Sequence, residues 1–336
     1  MKQLLISLFL FLLQVAIDQY IWGNVYHLCA GETLEPVACD LRDPSGSVDP
    51  TSLLLLPLLV AVCIVSGCPR RPSASSVSAL FAARFTGFSR RLSSSSPAVM
   101  DIQAGAVVVS VDYHLSPEHP LPAAYDDAWT ALTWVLRSAR SGAEPWLSRR
   151  ADLTRLFLAG DSAGGNMAHN MAMRAGREGL DGGAAVRGIA LLDPYFWGKR
   201  PVASETRDPA ERRRNDRIWS FVCAGRYGLD DPVVNPVAMA GDEWQRLGCA
   251  RVLVTVAGLD VLSARGRAYV EALRASGWGG EVRLYETPGE YHVYFLLKPD
   301  GEKAAKEMDA VVAFINGDRS VGSTKPEGSA EYTEIS

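Results

Sequence analysis

Beyond Met100, short apolar runs alternate with stretches of helical spacing, and that rhythm restricts the fold more than any other property of the chain. Ala106 to Val111 reads AVVVSV, a continuous β-branched run of the kind a parallel sheet buries on both faces. A turn-rich connection from Ser116 to Pro122 leads into a predicted helix from Ala123 to Ser138, where Ala128, Leu132 and Val135 share one face. Further strands are expected from Arg155 to Ala159, Gly188 to Leu192, Arg251 to Val256 and Glu281 to Tyr285. Helices are expected from Ala163 to about Ala175, from Ala264 to Ala275, where Gly277 ends it, and from Glu302 to Ile315. This order implies an α/β fold, a mostly parallel sheet with helices on both faces. The segment from Pro194 to Leu247 breaks the rhythm with Arg, Trp and Asp, which predicts a helical cap inserted over the strand ends. Within it, Glu211-Arg212-Arg213-Arg214 reads as one solvated helix face.

The first hundred residues have another character. Lys2 precedes an apolar run from Leu4 to Leu13 laid out like a secretory signal peptide, although Gln14-Val15-Ala16 is only half of a small-x-small cleavage site. A second apolar run, Leu53 to Val65, is interrupted by Pro57 and is shorter than the roughly 20 residues a membrane span needs, so no span is expected. From Pro69 to Met100 come Arg70, Arg71, Arg84, Arg90 and Arg91 with many serines and no acidic residue, the composition of an organelle transit peptide placed internally. Residues 1–103 are therefore expected to be a leader-like or disordered extension, in which the first strands of the sheet are not recognisable. The folded domain is expected over 104–316 with its cap at 194–247, followed by a disordered polar tail over 317–336.

A formal net charge of −4 supplies no concentrated basic face to displace counterions, so nucleic acid is not an expected partner. Cys29, Cys39, Cys63, Cys68, Cys223 and Cys249 have neither CxxC nor Cys/His spacing, and no metal site is expected. Cys223 and Cys249 read as buried free thiols.

Gly160-Asp161-Ser162-Ala163-Gly164 falls between a predicted strand and a predicted helix, the context a Gly-x-Ser-x-Gly nucleophile elbow requires. Gly160 and Gly164 flank a strained turn where a Cβ would collide with neighbouring backbone. The helix starting after Ser162 aims free N–H groups at the place where an oxyanion would develop, and the Ala163 N–H is the expected first donor. A serine hydroxyl needs a base to take its proton. His27 lies in the extension, and His169 is seven residues along the same helix, pointing away from the elbow. His114 and His119 flank the turn after the first strand with no acid evident behind them. His292 follows the last strand across Thr287 to Tyr291, and Asp260 follows the preceding strand across Ala257 to Leu259. Alone, Asp260 could cap the following helix and His292 could be a satisfied loop histidine. Together they give the chain order serine, acid, histidine at one sheet edge, which predicts a triad of Ser162, Asp260 and His292.

Longer stretches carry a family likeness: Val111 to Asp127 (VDYHLSPEHPLPAAYDD), Gly160 to Gly165, Pro194 to Gly198 (PYFWG), Asp231-Pro232, Asn235-Pro236, Ala257 to Asp260 (AGLD) and Gly289 to Val293 (GEYHV). Over roughly 104–316 the chain resembles the plant carboxylesterases of the hormone-sensitive-lipase group of α/β-hydrolases, a group that includes the gibberellin receptors. The resemblance implies hydrolysis of short-chain carboxylic esters, a small-molecule ester substrate, no cofactor and a cytoplasmic setting. It maps nucleophile, acid and base onto Ser162, Asp260 and His292. A ligand-binding, receptor-like homologue is the alternative; the receptors of this group resemble it without the base histidine that stands here at 292. The chain departs from the family in four places. Ser75 to Phe81 (SSVSALF) stands where a His-Gly-Gly-Gly type oxyanion segment is expected, and each lost donor costs about 10²–10³ in rate. His114 stands for the usual Arg, Asp193 for the usual His, and Tyr291 for the usual Gly.

Overall fold

The computed structural model describes residues 62–67, 80–83, 106–111, 113–144, 147–148 and 151–317. The signal-like start, most of the transit-like stretch and the polar tail lie outside these residues.

The expected α/β architecture is present. Strands β1 (Val62–Gly67), β2 (Leu80–Ala83), β3 (Ala106–Val111), β4 (Leu156–Asp161), β5 (Val186–Leu192), β6 (Arg251–Ala257) and β7 (Glu281–Thr287) form a sheet in the order β2-β3-β1-β4-β5-β6-β7. From β4 to β7 every pairing is parallel, and β2 is parallel to β3. β1 runs antiparallel to both β3 and β4, with Ile64 opposite Val109 and Leu158. Both β1 and β2 lie before the boundary expected at residue 104. Part of the apolar run Leu53 to Val65 thus enters the sheet, between β3 and β4. Among the described residues no helix is long and apolar enough to cross a membrane.

The helices are α1 (Ala123–Ser141), α2 (Ala163–Glu178), α3 (Pro209–Cys223), the single turn α4 (Gly241–Trp244), α5 (Ser263–Ala275), the single turn α6 (Tyr294–Leu297) and α7 (Glu302–Asn316). Successive strand residues point to opposite faces, and both faces are covered. Leu156 and Leu158 of β4, Ile189 and Leu191 of β5 and Val252, Val254 and Val256 of β6 pack in one cluster with buried residues of α1, α2 and α5. Phe157, Ala159, Ala190, Leu192 and Leu253 face the other way, toward Met308, Val311, Phe314 and Ile315 of α7. That double burial is why these strands read as unbroken apolar runs.

The insertion after β5 contains α3 and α4, and it is fastened to α5 by buried charge. Arg265 of α5, 1% exposed, donates to both carboxylate oxygens of Glu205 at 3.1 and 3.0 Å, to Asn235 Oδ1 and to the Gly198 carbonyl. Removing either partner would strand a desolvated charge, so this pair fixes the insertion's position on the sheet. The charge run in α3 is only partly a solvated face: Arg213 and Arg214 are exposed, whereas the Arg212 guanidinium lies 4.7 Å over the Trp197 ring and donates to the Gly198 carbonyl. Its apolar stem and planar head make that half-burial favourable. Cys223 and Cys249 are free thiols, Cys223 buried and Cys249 half-buried.

Candidate active site

Ser162 sits between β4 and α2, at φ 53° and ψ −116°, where a residue with a side chain is strained. The turn is held there by its neighbours. The Ser162 N–H donates to the Leu192 carbonyl at 2.8 Å, and the Tyr195 N–H donates to the Ser162 carbonyl at 2.8 Å, so both ends of the turn are tied to the end of β5. Gly160 is required by the close approach of α2: a Cβ there would lie 2.8 Å from the Gly164 Cα and closer still to the Gly164 carbonyl group. Gly164 is buried in the first turn of α2, and Ala163 begins the helix. The first N–H groups of α2, Ala163's among them, have no acceptor within the helix and point past Ser162.

Asp260 and His292 arrive from the ends of β6 and β7. The Gly258 N–H donates to the Thr287 carbonyl and the Leu259 N–H to the Glu290 carbonyl, so the two loops are laced together. His292 Nε2 is 2.8 Å from Ser162 Oγ, and His292 Nδ1 is 2.7 Å from Asp260 Oδ2. The other Asp260 oxygen accepts the Leu262 N–H at 3.0 Å, which combines a turn-forming role with the histidine contact. Ser162 and Asp260 are 2% and 6% exposed, while solvent reaches 31% of the His292 side chain. The three residues expected from sequence are thus in one hydrogen-bonded line. Burial disfavours the imidazolium, yet the charge and hydrogen bond of Asp260 outweigh it, with Asp193 and Asp161 adding, and His292 is pushed up to about 9.

His27 lies outside the described residues; of the other histidines, all but one behave as their positions dictate. His169 is 1% exposed among Phe196, Trp244 and Tyr269, 3.0 Å from the Tyr269 hydroxyl, and burial, with Arg177 adding, pushes it down to about 3. His114, expected to have no acid behind it, does have one: Asp127 Oδ2 accepts its backbone N–H and lies 2.7 Å from its Nδ1. The turn from Ser116 to Pro122 bends α1 back so that residues 13 apart meet. His119 touches the same ring edge-on at 4.4 Å between centroids. This pair is a separate polar cluster, joined to Asp127 and not to the serine.

Two features near Ser162 had no clear sequence signal. Asn166, one turn into α2, accepts the Tyr125 hydroxyl at 2.7 Å and donates to the Val233 carbonyl at 2.8 Å, binding α1, α2 and the cap into one network. Asp193, at φ 42° just after β5, is 2% exposed, and one of its carboxylate oxygens lies within 4.8 Å of one from Asp260 and a ring nitrogen of His292. Two carboxylates and an imidazole at that spacing are metal-ligand types, but their atoms are already engaged by backbone N–H groups and by each other. The sequence marked Asp193 only as a departure from the family's usual His, which gave no sign of its contacts with the loop carrying His292.

The family profile that matches residues 94–296 is that of the alpha/beta hydrolase fold. Probable carboxylesterase 2 of Arabidopsis thaliana is 43% identical over 214 residues, 64% of this chain and 66% of the relative. Tuliposide A-converting enzyme 2, chloroplastic, of Tulipa gesneriana is 43% identical over 217 residues, 64% of this chain and 55% of the relative. The chain spans less than two thirds of the length of both. The crystal structure of a thermostable esterase from Pseudomonas putida superposes with a TM-score of 0.54 at 26% identity, covering 66% of this chain and 67% of that one. With the sheet order, the elbow and these matches together, the chain belongs to the plant carboxylesterase family of the α/β-hydrolase fold.

Proposed function

We propose that this chain hydrolyses small carboxylic esters, with Ser162 as nucleophile, His292 as general base and acid, and Asp260 as the residue that orients the imidazole. The observation that carries the reading is the unbroken relay from Ser162 Oγ to His292 Nε2 at 2.8 Å and from His292 Nδ1 to Asp260 Oδ2 at 2.7 Å. In the first half-reaction Ser162 Oγ attacks the ester carbonyl carbon while its proton passes to His292 Nε2. The carbonyl π electrons move to oxygen, and the N-terminus of α2, with the Ala163 N–H first, stabilises that charge. Collapse of the tetrahedral adduct breaks the bond to the alcohol oxygen, which takes the proton from His292 and leaves. Water then attacks the acyl-Ser162 ester with His292 again accepting the proton, and the carboxylic acid is released. Asp260 stays ionised throughout and keeps the other imidazole proton on Nδ1. No cofactor enters these steps.

The receptor-like alternative is disfavoured by the same relay, since a pocket kept only for binding needs no imidazole against the serine. The test is hydrolysis of p-nitrophenyl acetate and butyrate by the full chain, corrected for the spontaneous rate. Turnover of the short acyl esters is expected; a folded chain that releases p-nitrophenol no faster than buffer would overturn the reading.

A further inference from the structure

We propose that Asp193 is a positioning residue for this reaction: a second buried carboxylate beside Asp260 that tethers the backbone next to His292 and holds positive charge on its ring, so setting the pH at which the Ser162–His292 pair becomes active. The inference rests on the esterase reading above.

The tether is geometric. Asp193 Oδ2 accepts the Val293 N–H at 2.8 Å, directly after the imidazole-bearing residue, and Oδ1 accepts the Ala257 N–H at 2.7 Å, at the end of β6. Its own N–H donates to the Thr255 carbonyl of β6 at 3.0 Å. One side chain thus joins the ends of β5 and β6 to the loop carrying the base. Val293 is itself at φ 46°, an unfavourable conformation for a β-branched residue, so the hydrogen bond to its N–H holds a backbone that would otherwise relax. With both oxygens occupied by N–H donors, the carboxylate form suits the site, because a carboxylate only accepts.

The charge effect follows from proximity. The groups facing His292 are all acidic: Asp260 after β6, Asp193 after β5 and Asp161 at the end of β4. Asp193 in turn faces His292, Asp260 and, from α7, Glu307. A cationic side chain that acts on this group is Arg267 of α5, which is drawn to Asp260 and bonded to Glu286. A buried set of carboxylates with one imidazole retains a proton on the imidazole, and the set titrates as a unit. Burial, with Asp260 and Glu307 adding, pushes Asp193 up to about 8 against His292 and the Val293 N–H, so its carboxylate is ionised over the range in which the limb is read.

The sign is then fixed. His292 must be neutral to accept the proton of Ser162, so kcat/KM climbs as pH rises through the imidazole's titration, and every carboxylate that favours the imidazolium moves that limb upward. In the wild type the limb is expected near pH 9. In Asp193→Asn and Asp193→Ser it should fall by about 1–3 pH units, the ordinary effect of removing an opposite charge at this range. The high-pH plateau should fall as well, because the Val293 tether is weakened. A merely structural role would lower the plateau and leave the limb in place.

The experiment is the pH profile of kcat/KM on p-nitrophenyl butyrate for the wild type and both variants. A downward shift of at least about one unit in a folded variant supports the proposal; an unmoved limb overturns it. Should neither variant fold, the pH profile of the residual activity of Asp260→Asn decides: with that carboxylate gone, a limb that stays above about 7, where an ordinary imidazole titrates, supports the proposal, and one at or below it overturns it. Wild type without turnover would end the esterase reading and this one with it, whereas turnover with an unmoved limb ends this one alone.

Discussion

Ser162→Ala is expected to lower kcat on a p-nitrophenyl ester by as much as roughly 10⁶-fold, with thermal unfolding little changed. The size follows from the relay. Without Oγ there is no covalent route, and His292 has no hydroxyl to deprotonate. What survives is the N-terminus of α2 and whatever substrate binding remains, worth roughly 10³–10⁴ over water in such sites. The chain lacks the glycine-rich segment that its family resemblance leads one to expect near residues 75–85, so wild-type turnover starts lower and the uncatalysed rate bounds the measurable loss. Folding is spared because the Ser162 backbone, not its hydroxyl, carries the contacts to Leu192 and Tyr195. Retention of activity within about tenfold would place the nucleophile elsewhere.

Asp260→Asn should lower kcat by about 10⁴ while preserving shape, for a reason legible in two hydrogen bonds. Asp260 Oδ1 accepts the Leu262 N–H at 3.0 Å, and Oδ2 faces His292 Nδ1 at 2.7 Å. An amide that keeps the first contact with its oxygen must turn its NH₂ toward Nδ1. That nitrogen then has to accept, the imidazole proton moves to Nε2, and Nε2 can no longer take the proton of Ser162. The substitution also removes the carboxylate that most raises His292, so the residual activity should persist to lower pH than in the wild type. Steady-state rates across pH measure both effects; a loss of less than about tenfold would show that Asp260 does not set the tautomer.

How much of this was readable from sequence depended on whether a signal was local. Strands buried on both faces announce themselves as apolar runs, and β3 has the bounds expected for it. β4 and β7 extend two residues further than their apolar runs, because Gly160-Asp161 and Glu286-Thr287 stay in register through backbone pairing that side-chain character does not reveal. β1 begins within the longer run Leu53 to Val65, where nothing marks a strand's start, and runs past its end to Gly67, and β2 is only four residues long. The meeting of Ser162, Asp260 and His292 was legible because strand ends in a parallel sheet share an edge, so the elbow motif and the chain order together predicted it. The Asp193 contacts, the Asp127–His114 pair and the Glu205–Arg265 pair were not legible, since each depends on where a turn or insertion folds back in space.

The most direct test of the central claim is to trap the acyl intermediate. The full chain is mixed with a fluorophosphonate or a slowly deacylating p-nitrophenyl ester, and intact mass and peptide mapping follow. One adduct per chain is expected, on the peptide bearing Ser162, forming much more slowly when His292 is replaced by alanine. A folded chain that takes up no adduct, or carries it on another residue, would contradict the account.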